Sequence, residues 1–107
     1  MSNKKSFRFI SDPGHGWLEV PRVQLEALSL AEKVSPFSYQ HDGKVYLEED
    51  CDMALFTEAL KSRGVEFQIQ EVYEKDTPIR GYAQFRDERE QHVRVFQEVI
   101  GHRWHIT

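Results

Sequence analysis

The chain has 107 residues, 39% hydrophobic and 30% charged, with a formal charge of −4. That is the length of one domain, able to bury roughly two-thirds of its unfolded surface without staples and too apolar for a disordered chain. The acidic balance speaks against direct nucleic-acid binding, and a single cysteine, Cys51, excludes an intrachain disulfide or a multi-cysteine zinc site.

No apolar run is long enough for a membrane span or a secretory leader, so a cytoplasmic location is the expectation. Residues 1–6 read as a loose basic leader. Phe7 to Ser11 predicts a strand with Phe7 and Phe9 on one face. Asp12-Pro13-Gly14-His15-Gly16 is a tight-turn signal, and Trp17 to Val20 predicts the returning strand of a hairpin. Pro21 suits a first helical turn. The spacing of Val23, Ala27, Leu28 and Ala31 predicts a helix running to about Lys33.

Ser35-Pro36 breaks that helix. Phe37–Gln40 and Lys44–Leu47 then flank His41-Asp42-Gly43, a favoured hairpin turn. A second helix is expected from Asp50 to Arg63, with Met53, Phe56, Ala59 and Leu60 as its apolar stripe and Gly64 as its stop. Residues 65–72 alternate strictly and predict a strand with one buried and one wet face. Ile79 to Phe85 reads as an irregular connection. A third helix is expected from Asp87, with Glu90 in capping-box spacing, a seam of Val93, Phe96, Val99 and Ile100, and a stop at Gly101.

These elements give an α+β fold in the order ββαββαβ with a C-terminal helix. A mainly antiparallel sheet of about five strands would carry its helices on one face. The whole chain reads as one domain. Its segment 86–107 is a candidate dimerisation element, with Val93, Phe96 and Ile100 as the contact.

Four carboxylates gather in Glu48-Glu49-Asp50-Cys51-Asp52, where a strand hands over to a helix. Asp50 is the expected N-cap, and Glu49 and Asp52 would favour the positive end of the helix dipole. The same residues could form an acidic docking patch or hold a hard cation, although the spacing is not that of an EF-hand loop. His15, between two glycines, is open enough to act as an acid, a base or a ligand. Trp17 beside it is either a contact anchor or a core residue. Cys51 would gain nucleophilicity from a helix amino terminus, but Asp50 and Asp52 oppose a thiolate, so a small buried apolar role is the alternative. His102 and His105 have the spacing of a metal pair only if the helix passes Gly101. There is no serine-hydrolase elbow, phosphate loop or metalloprotease motif.

Three stretches together resemble a group of short uncharacterised proteins encoded by bacteriophages, plasmids and proteobacterial genomes. They are the run from Phe9 to Pro21, Phe37-Ser38-Tyr39-Gln40, and the run from Tyr46 to Asp52. The likeness spans roughly residues 7–82, ending near Pro78-Ile79-Arg80-Gly81-Tyr82. It implies an accessory gene of a mobile element and assigns no catalytic residue.

The leading expectation is therefore a small non-enzymatic protein that binds a host or phage protein, such as a basic surface of a host defence complex. His15, Trp17, Glu48, Glu49 and Asp52 would form its contact face, with no cofactor or metal. An acid–base or metal-dependent enzyme using His15 with Asp50, Cys51 or Asp52 is the second expectation. It requires the first turn and the start of the second helix to meet. A homodimeric structural protein is the third.

Overall fold

The computed structural model of the chain describes residues 4–87. In chain order these form β1 (Lys5–Ser11), β2 (Gly16–Pro21), α1 (Arg22–Ala27), β3 (Tyr39–His41), β4 (Lys44–Glu48), α2 (Met53–Ser62), β5 (Phe67–Tyr73) and β6 (Ala83–Gln84). Two short 3-10 turns lie at Ala31–Lys33 and Pro78–Gly81. The strands make one sheet in the order β5-β1-β2-β4-β3-β6.

The fold is α+β, but the sheet departs from expectation in two ways. It has six strands rather than about five, because residues 83–84 leave the expected irregular connection to pair with β3. It is also mixed, since β5 runs parallel to β1 while the other four pairings are antiparallel. The chain path explains the parallel pair. The helix between β4 and β5 returns the chain in its original direction, whereas a tight hairpin would have reversed it. β1 begins at Lys5, so Lys5 and Ser6 pair with Phe67 and Gln68 and do not belong to a loose leader.

Both hairpins occur where their turns predict. Asp42 and Gly43 take φ of 50° and 74°, the left-handed pair that a two-residue hairpin loop demands. At the first turn, Gly16 allows a close approach. A Cβ there would stand 2.3 Å from the Phe9 ring, so only glycine lets Phe9 lie across the start of β2.

α1 is shorter than expected. It ends at Ala27, Ser29 takes a φ of 58°, and the Leu30 N–H returns to the Leu25 carbonyl. The expected stripe holds only in part: Ala31 is buried, but Val23 and Ala27 are exposed, and Leu25 and Leu30 are buried in their place. The early stop folds the chain back over the sheet, so residues on both sides of Ser29 reach the core. α2 starts at Met53, three residues after the expected start, and stops before Gly64, whose φ is 68°.

Strand register sorts the core into two faces. On the helix face, Phe7, Leu18, Val20, Val45 and Leu47 pack with Leu25, Leu30, Phe56 and Leu60 from the helical segments. On the opposite face, Ile10, Trp17 and Tyr46 pack with Ile79 from the second 3-10 turn. β5 serves both: Phe67 and Ile69 join the first cluster and Val72 the second, so neither of its faces is simply wet.

Candidate functional site

The Asp12–Gly16 turn is held by one carboxylate. Asp12 Oδ1 accepts the Gly14 and His15 backbone N–H groups at 2.9 and 2.8 Å. Arg80, 68 residues away, donates to both oxygens of the same carboxylate at 2.5 and 2.9 Å. The Arg80 guanidinium, helped by the two N–H donors, holds Asp12 well below the usual carboxylate range. The turn is thereby locked and His15 is presented on its outer side, with its side chain about half exposed.

The acidic stretch divides into inward and outward halves. Asp52 is only 2% exposed and accepts hydrogen bonds from the Ser35 N–H, the Ser35 hydroxyl and the Ser38 hydroxyl at 3.1, 2.6 and 2.5 Å. The Ser38 hydroxyl oxygen in turn accepts the Glu48 N–H at 3.0 Å. Asp52 is therefore an internal clamp that fixes the 35–38 turn to the start of α2, with no surface to offer a partner. Asp50 is exposed and is not the N-cap. Asp52 occupies that position but makes no side-chain cap. The backbone N–H of Cys51 is instead satisfied by the Glu48 carboxylate at 2.8 Å.

These clamps bring the first turn, the 35–38 turn and the 48–51 turn to one end of the sheet. A pocket of about 240 Å³ opens where they meet. His15 and Trp17 line it from the first hairpin, Phe37 and Tyr39 from the approach to β3, and Glu48, Asp50 and Cys51 from the end of β4. Arg80 closes its remaining side. His15 Nδ1 is 4.0 Å from Glu48 Oε1, and Phe37 stands 67% exposed at the rim. Trp17 is 2% exposed, with the Arg80 guanidinium 5.8 Å from its ring and Tyr39 edge-on at 6.2 Å.

Of the five expected contact residues, His15, Trp17 and Glu48 share this pocket. Glu49 faces a neighbouring hollow with Phe9, Met53, Ile69 and Glu71, and Asp52 lies inside. Trp17 takes its core alternative while still lining the pocket. The residues that the sequence reading missed are Phe37, Tyr39 and Arg80. An aromatic placed straight after a Ser-Pro break is a signal that could have found Phe37. Nothing local links Arg80 to Asp12.

The meeting required by the enzyme expectation is thus present for His15 with Asp50 and Cys51, which line the same pocket, but not for Asp52, which lies inside. The chemistry opposes a nucleophilic cysteine. The hydrogen-bonded Glu48 carboxylate, burial and the charges of Asp52 and Asp50 all push the Cys51 thiol up. Among the described residues, no three histidine, cysteine, aspartate or glutamate side chains come together to hold a metal ion. None of the helices there is long and apolar enough to cross a membrane. Val93, Phe96 and Ile100, with His102 and His105, lie outside the described residues.

No protein-family model matches the chain, and neither a curated protein nor a solved structure matches it.

Proposed function

We propose that this is a non-enzymatic binding protein that docks its acidic end on a basic surface of a partner protein. The observation that carries the reading is the pocket itself, where Glu48 and Asp50 stand among three aromatic side chains. Arg80 does not cancel this charge, because Asp12 already pairs with it. Glu49 and Glu71 add carboxylates at a second hollow, whose apolar residues Phe9, Met53 and Ile69 belong to the helix-face cluster. Apolar surface beside carboxylates suits a basic, partly apolar partner segment. The resemblance to proteins of phages and plasmids supports an accessory role on a host or phage protein, including inhibition of a host defence complex.

The test is reversal of the two outward carboxylates, Glu49→Lys with Asp50→Lys, which leaves the internal clamp at Asp52 intact. Capture of the partner from a bacterial lysate should weaken at least tenfold, and the wild-type complex should fall apart as salt rises. Capture that survives both the reversal and high salt would remove the reading. The alternative is an acid–base enzyme, favoured by the 4.0 Å approach of His15 to Glu48.

A further inference from the structure

We infer that the pocket receives a single arginine side chain of the partner, an inference that rests on the docking reading above. Size is the first argument. About 240 Å³ is below the roughly 300–1,000 Å³ of small-molecule sites and suits one inserted side chain. Charge is the second, because Glu48 and Asp50 call for a cation.

The third argument is shape. Phe37 and Tyr39 offer aromatic surface to a planar guanidinium, which stacks on rings and forks onto a carboxylate as an ammonium does not. The protein already shows this arrangement once. Arg80 lies over the Trp17 ring while Asp12 grips it with two hydrogen bonds. A guest guanidinium between the aromatics and Glu48 would repeat it beside the same indole.

A fourth observation is independent of charge. The Nε1–H of Trp17 is buried and has no acceptor among the described residues. The indole lies in the pocket wall, so this one N–H proton reports a guest that arrives beside the ring without itself being bonded by it.

Proton–nitrogen NMR of the full chain reads this directly, with Trp104→Phe leaving Trp17 as the only indole. The probes are acetyl-Gly-Arg-Gly-amide and its lysine and citrulline counterparts. The arginine peptide should shift the Trp17 indole resonance saturably, the lysine peptide should bind about tenfold more weakly, and the neutral citrulline peptide should not bind. Asp50→Asn, at an exposed position, and Glu48→Gln should each weaken arginine binding about fivefold or more. Equal binding of lysine or citrulline, or no saturation by the arginine peptide, overturns the assignment. Partner capture that is still lost on the Glu49/Asp50 reversal then leaves docking standing without the arginine. Capture that survives the reversal removes both.

Discussion

The two faces of the sheet are closed in different ways. The helix face is a continuous aliphatic and phenylalanine core, roofed by α1, α2 and the chain between them. The opposite face has a small aromatic cluster roofed only by the 3-10 turn Pro78–Gly81, and the rest of it is polar. There Glu19 collects Arg8 at 3.1 and 2.9 Å, Tyr46 at 3.0 Å and Lys44 at 3.7 Å. The helix face provides the packing that keeps the chain folded, and the open face carries paired charged side chains at the surface. The pocket lies at the margin of that thinner face.

The largest expected effect tests this difference with matched truncations. Leu47 on the helix face and Ile79 on the open face are both buried to within 2%. Truncating either to alanine removes similar apolar volume, at a cost of about 2–5 kcal/mol that depends on how far the surroundings collapse. Leu47→Ala, enclosed by strands and helices, belongs near 4–5 kcal/mol. Ile79→Ala belongs near 2 kcal/mol, because a single 3-10 turn can settle into the gap. Urea denaturation of the two variants checks the ordering, and equal losses would mean that the open face is packed as firmly as the other.

The next effect divides the acidic stretch. Asp52→Ala strands two hydroxyls and a backbone N–H around a buried site and should cost about 2–4 kcal/mol. Asp50→Ala, two residues away on the exposed side, should stay within about 0.5 kcal/mol. Thermal melts separate the two cleanly. A small loss at Asp52 would show that the 35–38 turn is held by packing rather than by its carboxylate.

That pair also shows where sequence reading runs out. Turns are local, so Asp12-Pro13-Gly14 and Asp42-Gly43 announce their hairpins directly. The alternation of residues 65–72 announces a strand but not its neighbour. The parallel partner β1 is about 60 residues away in the chain. The spacing of Val23, Ala27 and Leu28 mimics a longer helix because composition does not encode the left-handed turn at Ser29. Asp50 and Asp52 look equivalent in the sequence. Only the folded position of Ser35 and Ser38 turns one inward and leaves the other at the pocket. The site is legible to the same extent: His15 and the carboxylates are visible, while Phe37, Tyr39 and Arg80 join through tertiary contacts.

The smallest effect is a pH dependence that sharpens the role of Arg80. Asp12 has a folded pKa depressed well below the usual carboxylate range, chiefly by its hydrogen bonds with Arg80. Its contribution to stability is therefore complete above the unfolded value, roughly 4, and is drawn down as pH falls through the folded value. The native chain should lose stability between pH 4 and pH 2 with a slope to which Asp12 contributes. In Arg80→Ala the folded and unfolded values move closer together, which flattens that part of the slope. Asp12→Asn removes the titration altogether, and urea midpoints at pH 7, 4 and 2.5 distinguish the three proteins. If Arg80→Ala keeps the wild-type slope, the Gly14 and His15 N–H groups alone hold Asp12 ionised. The first turn, and His15 with it, would then be set without help from the distant arginine.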